Sequence, residues 1–286
     1  MNNIVLVAII AALLYLGIVL WKRLRSPYMP PKPKTLRNDL LYGYYGRNDN
    51  QCIETAGAVN LAIEMLWDGI DATIKRIRRQ PVQTILGVTS ACWIDNKKPR
   101  SESEAKVILR DILDKLRSEG VIDKVIGFYP IDEPDLWGAS DADVKSVCKM
   151  IRSVCKDYPD LGGTLMVCCY SKSGVFPGLS EFDWVGVDDY PEDSNMLVGA
   201  PFLDLRSSLR EDQRIFLIPG GCDPFRNNPE AFRRFAHSDP KVVAIIPFLW
   251  IDYNDPQGKF QKGIRSNGMD TVYRKLGAEI VGARHG

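Results

Sequence analysis

The segment KVIGFYPIDEPD, residues 124–135, runs apolar from Val125 to Ile131, then stops at two adjacent carboxylates and a proline. An unbroken apolar run of this kind reads as a strand buried on both faces, as in a parallel sheet. Carboxylates are expensive to bury, so Asp132 and Glu133 have two natural uses at its end. They cap the helix that follows, or they perform chemistry at the mouth of a barrel.

Seven more strand-like runs can be read outward from this one, at residues 40–46, 58–65, 82–94, 163–170, 182–190, 214–221 and 242–251. Helical patterns lie between most of them. Ser101 and Glu104 form a capping box ahead of a stripe of Ala105, Ile108, Leu109, Ile112 and Leu116, and Gly120 ends it. Ser140 opens a second helix with Val144, Val147, Cys148, Ile151, Val154 and Cys155 on one face. Asn228-Pro229 opens a third. Further stripes occur at Ile70, Ile74 and Ile77 and from Met269 onward. The crossover at 47–57 is short for a helix, and 171–181 reads as loop. Eight strand–helix units in about 250 residues predict an α/β fold, a (β/α)8 TIM barrel over residues 39–286.

The chain begins differently. Residues 4–21, IVLVAIIAALLYLGIVLW, carry no charge and are about long enough to cross a bilayer as a helix. Trp21, Lys22, Arg23 and Arg25 suit an interfacial anchor. A cleaved signal would need a positive start and a small-residue site. Here Asn2 and Asn3 precede the run and Leu20-Trp21-Lys22 follow it. The expectation is a single-pass transmembrane helix (1–25), a Pro-rich linker (26–38) and then the barrel. Basic residues after the span place the barrel on the cytoplasmic side, whereas an extracytoplasmic substrate would place it outside, on a cell envelope or a virion membrane.

Composition excludes several functions. The net charge of +1 gives no bulk attraction to nucleic acid, and through residues 4–21 membrane lipid is an expected partner. Two histidines leave no histidine-based acid–base site or zinc motif, and G-x-S-x-G, P-loop and G-x-G-x-x-G motifs are missing. Seven cysteines without a C-x-x-C pair read as reduced structural residues. No cofactor and no metal site is expected. KRIRRQ, residues 75–80, reads as a solvated helix face, and nothing sets the oligomeric state.

Barrel active sites lie at the C-terminal strand ends. The runs end in Tyr44-Tyr45-Gly46, in Glu64 with Trp67-Asp68 beyond, in Trp93-Ile94-Asp95 and in Asp132-Glu133. The later ones end in Tyr170-Ser171-Lys172, Asp188-Asp189-Tyr190, Cys222-Asp223 and Trp250-Ile251-Asp252-Tyr253. Carboxylates interleaved with aromatics suit sugars. Ring faces stack on a pyranose, carboxylates bond its hydroxyls, and two carboxyls flanking a glycosidic bond can hydrolyse it.

This layout resembles the clan A glycoside hydrolases and related glycosidase-like barrels. Asp132-Glu133-Pro134 stands where they end strand four, Asp188-Asp189-Tyr190-Pro191 after strand six, and Phe248-Leu249-Trp250 after strand eight. The resemblance implies that Glu133 is the general acid/base, that Asp132 contacts a substrate hydroxyl, that Tyr190 lines the cleft and that Trp250 floors a sugar subsite. It also implies a nucleophilic glutamate after strand seven, where this chain reads Ile218-Pro219-Gly220-Gly221-Cys222. Strand parity puts Asp188 on the same face as Tyr190, which makes Asp188 the second catalytic candidate, with Asp223 and Asp252 in reserve. Tyr44, Glu64, Trp93, Asp132, Tyr190, Asp223, Trp250 and Asp252 are the expected substrate-binding set. The function expected is a membrane-anchored glycoside hydrolase, with carbohydrate as the other expected partner. The alternative is an inactive barrel of the same fold that binds glycan or serves as a structural membrane or virion protein.

Overall fold

Eight parallel strands form the sheet: Leu41–Tyr42 (β1), Leu61–Met65 (β2), Gln83–Gly87 (β3), Val125–Tyr129 (β4), Leu165–Tyr170 (β5), Trp184–Val187 (β6), Arg214–Leu217 (β7) and Val242–Ile245 (β8). They belong to a computed structural model that describes residues 37–283 apart from 47, 172, 189, 191–199, 256 and 257. Each strand pairs with its neighbour in chain order, and β8 returns to β1 with Leu41 opposite Ala244. The remaining seam, β1 to β2, is joined by a parallel bridge between Tyr45 and Ile63, where Gly46 N donates to Ile63 O at 3.1 Å. The result is a (β/α)8 barrel.

Period-two alternation divides the apolar residues into two layers. Leu41, Tyr45, Leu61, Ile63, Met65, Ile85, Tyr129, Val167, Cys169, Trp184, Phe216 and Ile246 pack together inside the barrel. Their strand neighbours pack outward against the helices. Gly186 makes this interior possible, because a Cβ there would lie 2.9 Å from the Phe216 ring.

The helices are Asp49–Glu54 (α1), Ile70–Arg79 (α2), Thr89–Cys92 (α3), Glu102–Ser118 (α4), Pro134–Trp137 (α5), Asp141–Cys155 (α6), Ala200–Ser208 (α7), Pro229–Ser238 (α8) and Asp270–Ala283 (α9). Their starts follow from the caps. The side chains of Ser101, Ser140 and Asn228 accept from the backbone N–H of Glu104, Asp143 and Glu230. The first crossover does hold a helix, although a short one: Asn48 caps α1 by accepting from Gln51 N at 2.9 Å. Residues 173–181 are loop ending in a 3-10 turn at Leu179–Glu181. A small hairpin, Tyr253–Asn254 (β9) with Phe260–Gln261 (β10), decorates the loop after β8.

The expected membrane span at 4–21, its basic flank and the linker up to residue 36 lie outside the described residues. Among those described, no helix is long and apolar enough to cross a membrane.

Candidate active site

The β4 end was the starting point of the sequence reading, and the structure gives its two carboxylates different settings. Asp132 is held by two phenols: Tyr45 Oη donates to its Oδ2 at 2.8 Å, and Tyr129 Oη donates to its Oδ1. Tyr129 Oη also accepts from Cys169 N at 3.2 Å, which ties β4 to β5. Burial pushes the Asp132 carboxyl up, while the two phenol donors favour its ionised form. Asp132 is therefore a fixed carboxyl with both oxygens committed.

Glu133 is the opposite case. Its backbone N–H donates to Cys169 O at 3.0 Å, and its φ and ψ of 44° and 56° are left-handed. That region is uncommon for a non-glycine residue, and such strain concentrates at functional sites. The side chain does not cap α5. Its carboxyl has no hydrogen-bond or ion-pair partner among the described residues. Burial, then the charges of Asp132 and Asp135, push it up to about 7. Asp135 itself is structural, accepting from Ser171 N at 3.0 Å and from the hydroxyls of Ser171 and Ser173.

Two strands on from β4, Asp188 follows β6 on the inward parity of Trp184 and Gly186. Its charge helps raise the buried groups around it, Cys169, Tyr190, Cys222 and Tyr253. Tyr190 packs with the barrel interior. Its ring stacks on Phe248 with centroids 6.1 Å apart and lies 4.7 Å from Phe225. Phe248 is the centre of the aromatic floor, with Tyr45 and Tyr253 each 5.7 Å away, edge to face. The mouth thus brings together Asp132, Glu133, Tyr190 and the side of β6 that carries Asp188.

Other sequence candidates lie elsewhere. Tyr44 points outward into the helix layer, where its hydroxyl accepts from Tyr42 Oη and its ring meets Trp250 at 5.0 Å. Its neighbour Tyr45 takes the inward place, as the series Leu41–Gly43–Tyr45 requires. Glu64 also faces outward, fully buried, and meets Arg76 Nε of α2 at 2.9 Å. Trp250 is likewise in the outer layer, its Nε1 donating to Glu54 Oε2 at 2.8 Å, so Phe248 is the residue that faces the mouth. Asp223 pairs with Arg226 at 2.6 Å, which holds its carboxyl below the usual range. Asp252 fastens the loop after β8 by accepting from Gly263 N and Ser266 Oγ. Trp93 is buried at the end of α3 and lines a recess beside the mouth.

Sequence reasoning passed over Tyr45, Tyr129, Phe248 and Tyr253. Period-two parity would have found the first two, since Tyr129 lies in the opening segment itself. Phe248 and Tyr253 follow β8, where the chain has left the strand and parity gives no guide.

Among the described residues no group of His, Cys, Asp and Glu side chains is arranged to hold a metal ion. None of the seven cysteines forms a disulfide, and all are buried.

Solved structures with this architecture include a glucosidase and several β-glucuronidases. A glucosidase from Croceicoccus marinus superposes with a TM-score of 0.60 at 14% identity, over 87% of this chain and 69% of its own. A β-glucuronidase from Ruminococcus gnavus, in complex with a C6-substituted uronic isofagomine, gives 0.56 at 10%, over 83% and 50%. The protein ScGas2 gives 0.54 at 10%, over 87% and 65%. The fold is a glycosidase-like TIM barrel. This chain spans about half the length of the β-glucuronidases it matches. No protein-family model matches it, and no curated protein does.

Proposed function

We propose that this barrel hydrolyses O-glycosidic bonds, with Glu133 as general acid/base and Asp188 as the second carboxylate. The observation that carries the reading is the Glu133 carboxyl: unpaired among the described residues, partly buried, on strained backbone in an aromatic mouth and pushed up to about 7. A carboxyl in that state still holds its proton near neutral pH and can hand it on. The proton passes from Glu133 to the glycosidic oxygen as the bond from the anomeric carbon to that oxygen breaks. Asp188 faces the charge that develops on the sugar. It attacks the anomeric carbon if the two carboxyls stand about 5–5.5 Å apart, and it deprotonates a water if they stand about 6.5–9.5 Å apart. Asp132, held by Tyr45 and Tyr129, positions the site by keeping its charge beside Glu133.

The uncharged run 4–21 supports a membrane tether for this activity, with lipid as the second partner. The segment after β7 supports a second reading, a glycan-binding barrel without turnover, because Gly220-Gly221-Cys222 supplies no carboxylate there.

One experiment separates the two. The full chain, retained in the membrane fraction through an alkaline carbonate wash as the tether requires, is incubated with aryl β-glucosides and aryl β-glucuronides. Hydrolysis with kcat/KM falling above about pH 7 supports the enzyme, and NMR of the first-formed anomer then gives the stereochemical course. Release no greater than that of Glu133→Gln on every substrate overturns it in favour of the binder.

A further inference from the structure

We propose that the recess beyond β2 and β3 is a second saccharide subsite, taking an uncharged pyranose unit of the glycan whose bond lies at Glu133. The inference rests on the mouth being a glycosidase cleft and adds the class of sugar bound beside it. The recess has a volume of about 350 Å³, at the small end of ligand pockets, and its walls include Met65, Trp67, Thr89, Trp93 and Asn96. None of the described residues that line it is charged. A uronic acid or a sulfated sugar would bring a carboxylate or sulfate with no cation among them to meet it, whereas a neutral pyranose has an apolar face and hydroxyls only.

Both halves of such a sugar find a counterpart. Trp67 is 65% exposed, an unusual position for an indole, and neighbouring Ile94 is 57% exposed. The Trp67 ring is held rather than loose. It lies across Gly46, where a Cβ would come within 2.7 Å of it, and its centroid is 6.4 Å from that of Tyr45. A presented, immobilised indole is a stacking platform. For the hydroxyls, the Trp93 indole N–H and the Thr89 hydroxyl are buried without hydrogen-bond partners among the described residues. Native structures leave few such groups unsatisfied, and each costs stability until a partner arrives.

The recess lies beside the mouth. Trp67 contacts Tyr45, and Tyr45 Oη donates to Asp132, the residue preceding Glu133. One tyrosine ring therefore separates the sugar platform from the catalytic carboxyl, so an oligosaccharide can occupy both places at once.

Binding is measured on the full chain carrying Glu133→Gln, where cleavage does not intervene, by isothermal titration with neutral β-1,3- and β-1,4-linked gluco-hexaoses and the matching disaccharides. One hexaose is expected to bind at least about tenfold tighter than its disaccharide and to quench indole fluorescence. Adding Trp67→Ala should remove that advantage, and adding Thr89→Val should reduce it by about three- to fivefold. A hexauronate should not compete. Trp67 is exposed, so its replacement leaves the fold intact, which circular dichroism checks. Equal hexaose affinity with and without Trp67, or no binding of either hexaose at millimolar concentration, overturns the subsite. If the wild-type chain cleaves no glycoside while the Trp67-dependent advantage persists, the subsite stands and the hydrolase reading falls.

Discussion

Glu64 and Glu133 are both glutamates at the C-terminal ends of buried parallel strands, and a sequence pattern treats them alike. The barrel gives them different company. Glu64 shares the outward parity of Ala62 and meets Arg76 at 2.9 Å, with side-chain exposures of 0% and 1%. Arg76 goes on to Asp68 and Thr73, completing a polar knot between β2 and α2. Glu133 has neighbours of its own sign and no ion-pair partner among the described residues, and it sits on strained backbone. A buried carboxylate that is paired serves the architecture. One left unpaired costs stability, and a fold retains that cost where the protonated carboxyl is useful. Position along the strand tells little, and pairing tells nearly everything.

Exchanging each glutamate for glutamine in turn is the strongest way to break this comparison. On a glycoside with a poor leaving group, Glu133→Gln should lower kcat/KM by about 10²- to 10⁴-fold, the range that a positioned general acid supplies. Glu64→Gln should leave the rate per folded molecule within about threefold. Active-site titration, or normalisation to the folded fraction, is needed to make that reading. Equal losses in the two variants would mean that Glu133 is structural as well.

The next effect concerns stability and runs the other way. Arg76→Met removes the cation that meets Glu64 at full burial, which should cost about 3–5 kcal/mol in urea unfolding. Replacing both partners by apolar residues of similar volume should recover most of the loss. If the single variant costs less than about 1 kcal/mol, water must reach Glu64 and the knot is not dry.

The same parity argument explains what was legible in the sequence. Long apolar runs, three capped helices and eightfold alternation were sufficient for the barrel, because hydrophobic period and cap chemistry are local signals. The resemblance put Tyr190 at the mouth, and parity put Asp188 on the same face of β6. Tyr44 and Glu64 were expected at the mouth because each lies near a strand end, without asking which face it takes. Leu41–Gly43–Tyr45 and Leu61–Ile63–Met65 show that both fall one residue out of register. Trp250 and Trp93 could not be placed in this way. Each lies beyond the last ladder pair of its strand, where loop packing decides direction, and no short-range pattern shows that Trp250 Nε1 will find Glu54 nearly two hundred residues away.

The smallest effect is the most specific to Glu133. Its folded-state carboxyl is pushed up to about 7 from the ordinary 4.5, so between those values the folded chain holds a proton that the unfolded chain has lost. Proton linkage then makes stability fall as pH rises through that window. The penalty is absent below about pH 4.5 and complete above about pH 7. Glutamine carries no such penalty. Glu133→Gln should therefore be more stable than the parent at pH 8, by about 1–2 kcal/mol after allowing for solvent screening of a partly exposed group. For a domain of this size that is about 2–8 °C in Tm. The advantage should shrink steadily on acidification and vanish near pH 4.5, which thermal melts of the two chains at five or six pH values would follow. A Tm difference that does not change with pH would show that Glu133 titrates normally, and the proton it is proposed to donate would not be there at neutral pH.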